Sequence, residues 1–126
     1  MSHQDDLRAW ARGDQTVEAA VELLLRGFNG RFTKPEWAWM HADEHDGRPT
    51  ISFEDIPEHL EGLSDGERRL LRLAGSLAGA VPVVLGDALP GLARDQAAIF
   101  LAAAAHAAGR DQPPAFSEDD ETAPWP

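Results

Sequence analysis

The chain has 126 residues, 43% of them hydrophobic, with 22 acidic against 11 basic side chains and a formal net charge of −11. That length fits one domain with a core of its own, and the negative field disfavours sequence-independent binding to phosphate backbones or anionic membranes. Cysteine is absent, which excludes disulfides, thiolate metal sites and a cysteine nucleophile. The first ten residues carry no apolar h-region. The longest apolar run, Ala97–Ala105, falls far short of the roughly 18 residues of a spanning helix. These features favour a soluble cytoplasmic protein with no membrane partner.

Leu7, Trp10 and Ala11 give a weak helical patch closed by Gly13, with Trp10 expected to pack on the body as a lid. Asp14 or Thr16 can cap the first strong helix. Its apolar residues Val17, Ala20, Val21, Leu24, Leu25 and Phe28 fall on one face. Glu22 reaches Arg26 one turn on, and Gly27, Asn29 and Gly30 supply stop signals.

The period then changes. Trp37–Met40 and Thr50–Phe53 are aromatic and β-branched, with Asp46–Gly47 between them, which predicts a β-hairpin near 36–53. A two-residue turn at Asp46–Gly47 would pair Met40 with Phe53 and Ala42 with Ile51. Trp37, Trp39, His41, Asp43, His45 and Ser52 would then share the opposite face, and a one-residue slip would exchange the two.

Asp55 can cap a short helix to Leu60, with Pro57 tolerated in its first turn. Ser64 and Glu67 form a capping-box pattern that opens a helix to about Gly79, with Leu70, Leu73, Ala74 and Leu77 as its apolar positions. Val81–Leu85 is extended but broken by Pro82, a connection or an edge strand. The last helix, from Gly91 or Asp95 to about Gly109, is alanine-rich and apolar nearly all round. Such a helix is central or lies at an interface; 92–108 is expected to be the central helix, and its small side chains could also mediate a homodimer. Residues 110–126 are proline-rich, with one arginine and five acids, the composition of a disordered acidic tail. The expected fold is α+β: one predominantly helical domain over 1–109, with four to five helices and a hairpin, followed by that tail.

Several constellations carry possible chemistry. His41, Asp43 and His45 at i, i+2, i+4 would share one face of a strand, a donor set suited to Zn²⁺, Mn²⁺ or Fe²⁺. An acidic loop with no supporting shell is the plainer explanation. Ser52 lies beside His41 in the expected hairpin, but no other residue sits in the context of an activated nucleophile. Arg68, Arg69 and Arg72 open a helix that follows a short helix and a glycine turn, as a DNA-reading helix-turn-helix would. Glu54, Asp55, Glu58, Glu61, Asp65 and Glu67 surround them, so an ion-paired face is the simpler outcome. Trp37 and Trp39 either pack inside or anchor a partner. Phe116 and Trp125 flank the acidic run of the tail, a pattern that suits a short docking motif.

Leu63, Ser64, Gly66 and Glu67, followed by Val83–Leu85 and Asp87, are similar to the signature-to-Walker-B region of ABC-type ATPases. Asp65 replaces a phosphate-approaching glycine, Ala88 stands where the catalytic glutamate would be, and no phosphate loop precedes them. The runs GERRLLRLAGSLAG, VPVVLGDALPGL and AIFLAAAAHAAG within 62–109 resemble small uncharacterised proteins of high-GC actinobacteria, a resemblance that implies no activity or cofactor. With no catalytic constellation, the expected function is a non-enzymatic protein–protein interaction module, a regulator or accessory subunit with a protein partner of basic character. A metal-dependent enzyme or sensor using His41, Asp43 and His45 is the alternative. A DNA-binding regulator is a further one.

Overall fold

The computed structural model describes residues 2–109. Its elements are helix α1 (His3–Ala11), α2 (Gln15–Arg26), a 3-10 segment (Gly27–Thr33), strands β1 (Met40–Ala42) and β2 (Pro49–Ile51), a second 3-10 segment (Phe53–His59), α3 (Asp65–Leu77), the single turn α4 (Leu85–Ala88) and α5 (Arg94–Ala107). The described residues are thus predominantly helical with one antiparallel hairpin, the α+β architecture expected. Residues 110–126, with Phe116 and Trp125, lie outside the described residues.

The local capping and pairing signals of the sequence form at the positions their spacing predicts. Asp14 Oδ1 accepts from the Val17 amide at 3.3 Å and caps α2, and Glu22 meets Arg26 at 3.0 Å. Ser64 and Glu67 close a full capping box at α3: Ser64 Oγ accepts from the Glu67 amide at 3.2 Å, and Glu67 Oε1 from the Ser64 amide at 2.8 Å. Each satisfies an amide that the helix itself leaves unpaired.

The centre of the fold is α2, which packs against α1, α3 and α5. Six of its twelve residues are buried: Ala19, Ala20, Val21, Leu23, Leu24 and Leu25. This corrects the expectation that the alanine-rich helix would be central, since α5 buries only Gln96, Phe100 and Ala103. Short alanine side chains remove little area from water wherever they sit, so the long side chains of α2 win the middle. α5 runs antiparallel to α2, because His106 meets Glu18 while Gln96 meets Phe28.

Phe28 departs from the helical stripe that predicted it. α2 ends at Arg26, and Phe28, Asn29 and Gly30 all adopt the left-handed region, with φ of 49°, 59° and 75°. Gly30 and Asn29 suit that region; a phenylalanine there is strained. Its amide donates to Gln96 Oε1 at 3.2 Å, and its ring meets Phe32 edge-on at 5.8 Å. The close approach is possible because Gly27 lacks a side chain: a Cβ there would overlap Leu70 Cδ2.

The hairpin forms, but its turn is longer than predicted. Met40 pairs with Ile51, His41 with Thr50 and Ala42 with Pro49, a two-residue shift that keeps Met40 and Ile51 together on the buried face. Asp43 explains the shift. Its Oδ1 accepts from the amides of His45 at 2.7 Å and Asp46 at 3.3 Å, while its own amide donates to the Arg48 carbonyl at 2.8 Å. The side chain gathers Glu44–Gly47 into a four-residue loop, so His45 no longer faces Arg48.

Candidate functional site

The sequence-predicted candidates distribute differently from expectation. Trp39 is 0% exposed; its Nε1 donates to the Phe32 carbonyl at 2.9 Å. Trp37 stacks on it with ring centroids 4.9 Å apart and donates to the Arg31 carbonyl at 2.8 Å. Arg31 closes the cluster from outside, its guanidinium 5.1 Å from the Phe32 ring and 5.8 Å from that of Trp37. Arg31 is itself held by Glu67 Oε2, the carboxylate whose other oxygen completes the α3 capping box. Trp39 therefore lies in the chain's own interior with no surface to offer a partner, while Trp37 packs half-buried against it. Trp10, 39% exposed, stacks on Phe53 at 6.5 Å, the lid contact expected of it.

His41, Asp43 and His45 do not converge. β1 ends at Ala42, so the two-residue alternation that would align them stops short. Asp43 turns into its own loop, His45 sits on that loop exposed, and His41 faces Asp55 at 3.6 Å. Among the described residues no three histidine or carboxylate side chains come close enough to hold a metal ion. Ser52 Oγ donates to Glu54 at 2.9 Å, a local contact rather than a pairing with His41.

The arginines of α3 serve three ends. Arg68 donates to the Leu60 carbonyl at 3.1 Å. Arg69 pairs with Asp65 at 2.7 Å and donates to the carbonyls of Asp87 and Ala88, lying across Gly91, where a Cβ would displace it. It ties α3 to α4. Arg72 is exposed and makes no ion pair among the described residues. The preceding segment is a 3-10 stretch of Phe53–His59 rather than a first α-helix, so the helix-turn-helix arrangement is not formed. Val81–Val84 is a connection, not a strand, and Leu85 opens α4; Val84 and Leu85 are 68% and 49% exposed.

The feature that sequence reasoning missed lies over α2. Two adjoining hollows of about 350 and 320 Å³ share Glu22, Arg26 and His106. α1 and its C-cap contribute Arg8, Ala11 and Arg12 to one wall, and α5 contributes Ala98, Ile99, Ala102 and Ala103 to the other. The walls are opposite in character: guanidinium groups on α1 and the near end of α2, methyl groups on α5. Glu22 bridges Arg8 at 2.6 Å and Arg26 at 3.0 Å, while His106 Nε2 meets Glu18 at 2.9 Å. Arg12 makes no ion pair among the described residues. Three arginines thus face two glutamates, a local positive surplus in a chain of net charge −11.

The carboxylate of Glu18 is held below the usual range, first by its hydrogen bond with His106 and then by the Gly13 amide. Asp14 is lowered likewise, by the Thr16 hydroxyl and the Val17 amide. Of the two, only Glu18 lines the hollow, where its lowered pKa favours the ionised form beside His106. No family model, curated protein or solved structure matches the chain.

Proposed function

We propose that the protein is a non-enzymatic protein–protein interaction module whose docking surface is the groove over α2 between α1 and α5. One observation carries this reading. α5 is apolar nearly all round, yet it buries only three residues against the domain. Ala98 and Ala102, one turn apart, are exposed along the groove beside half-buried Ile99. An apolar wall opposite a guanidinium rim suits a segment with spaced apolar anchors and carboxylates, the mode in which an amphipathic helix or strand lies in a groove.

The overall charge led to the expectation of a basic partner; the rim of the groove favours an acidic one. At physiological ionic strength the screening length is about 8 Å, so the nearest arginines outweigh the distant acids. A metal site at His41, Asp43 and His45 and DNA reading by Arg68, Arg69 and Arg72 have no comparable geometry in their favour.

Selection of short random displayed peptides on the full chain tests the reading, with an Ala98→Glu, Ala102→Glu variant as the counter-target. Both sites are exposed, so the variant keeps the fold. Enriched peptides should be acidic with apolar anchors, and should bind the variant at least about tenfold more weakly, a loss of about 1.4 kcal/mol. Failure to enrich, enrichment of basic peptides, or equal binding to the variant overturns it.

A further inference from the structure

Resting on that docking reading, we infer that the groove's resident occupant is the chain's own 110–126 segment, which holds it until a partner of the same chemistry displaces it. The chemistry matches on both counts. The segment has a net charge of −4, with Glu118, Asp119, Asp120 and Glu121 in one run, and it carries Phe116 before that run and Trp125 after it. The groove offers Arg8, Arg12 and Arg26 on its rim and the methyl wall of Ala98 and Ala102. The Arg26 side chain is 62% exposed.

The geometry of departure matches too. α5 stops at Gly109, whose φ of +87° turns the chain out of the helix, and whose amide closes on the His106 carbonyl at 2.9 Å. His106 itself lines both hollows, so the segment leaves the helix at the mouth of the groove. From Gly109 back to Ala98 is about 17 Å along the helix axis. Phe116 lies seven residue steps beyond Gly109, and seven extended steps span about 23 Å. The segment is therefore long enough to bring Phe116 to the Ala98–Ala102 wall and its acids to Arg26 and Arg8.

Tethering makes even a weak contact sufficient. A segment joined by so short a linker meets its site at an effective concentration of about 1 mM. A site of millimolar affinity is then about half occupied, while a free partner needs only modestly tighter binding to displace the segment. Occupation would also bury the aromatic side chains, whose exposure otherwise favours non-specific association.

The absence of cysteine supplies the test. A Ser117→Cys substitution in the full chain takes a single nitroxide label, read by paramagnetic broadening of backbone amides. Broadening should concentrate at Arg12, Arg26, Ala98 and Ala102 and leave Val84 and Leu85 sharp. It should fall sharply in about 1 M salt, where screening acts within about 3 Å. The same loss is expected when Glu118, Asp119, Asp120 and Glu121 are replaced by their amides, a change that leaves the described domain untouched. Broadening that is uniform, centred on Val84, or unchanged by the amide replacements overturns the inference. So does broadening seen only when labelled and isotope-enriched copies are mixed, which would mean that a second copy supplies the segment. If the segment fails to dock while displayed peptides still require Ala98 and Ala102, the docking surface stands and only its occupant is wrong.

Discussion

Gln96→Leu probes the turn that ends α2. Gln96 is buried, and its Oε1 accepts the Phe28 amide while its Nε2 donates to Asp95 at 3.1 Å. Leucine has nearly the same volume, so no large cavity opens. The Phe28 N–H, however, loses its partner in a part-buried site. An orphaned donor of this kind costs about 1–2 kcal/mol, and in a domain of this size each kcal/mol lowers Tm by about 4 °C. The expected fall is therefore about 4–8 °C by circular dichroism. The strained left-handed conformation of Phe28 loses its tether at the same time, so amides of Phe28, Asn29 and Gly30 should exchange with solvent faster than those of α3. An unchanged Tm with unchanged exchange would refute the claim that this long-range bond holds the turn.

Asn29→Val places a β-branched residue at φ of 59° on an exposed site, and a loss of about 1–2 kcal/mol is expected on urea denaturation; no loss would show that the turn adopts another conformation. Trp39→Ala removes the largest fully buried side chain and should cost about 3–5 kcal/mol, visible as loss of dispersed amide signals, whereas Trp37→Ala should cost less because its ring is half-buried. Glu18 and Asp14 both have lowered pKa values. Their contribution to stability is therefore complete above the unfolded carboxylate range and fades as pH falls through it, below about pH 4. Glu18→Gln should flatten that acid-side slope, and an identical slope in the variant would exclude the His106 contact in solution. Leu24→Asp or Leu73→Asp buries a charge at a site with no exposed surface and should unfold the domain; retained thermal stability would overturn the packing around α2.

Signals that act within a few residues were legible in the sequence. The capping box at Ser64 and Glu67, the Asp14 cap and the Glu22–Arg26 pair all span a single turn of helix, and each forms where the spacing places it. What depended on distant partners was not legible. Helical periodicity alone carries α2 through Phe28, and only Gln96, 68 residues away, explains why the chain turns left-handed there. The Asp46–Gly47 signal marked the hairpin correctly, but the side chain of Asp43, by capturing two loop amides, lengthened the turn and dispersed the histidines. Arg31 had no pattern to announce that it would cover Phe32 and Trp37. The groove is the extreme case. Arg8, Arg12, Arg26 and His106 read as ordinary surface charges on their own helices, and only the packing of α1 and α5 on α2 makes them a rim. One clue was present: an alanine-rich helix apolar on more faces than one neighbour can cover.

Photo-cross-linking on the full chain tests the docking groove most directly. A photoreactive benzophenone amino acid is placed at Ala102 in one bait and at Val84 in another, and both are irradiated in lysate of the source organism. An adduct with a second protein is expected at Ala102, its linked peptide acidic with apolar anchors, and none of that character at Val84. Adducts confined to Val84, or a basic peptide at Ala102, would contradict docking at the groove.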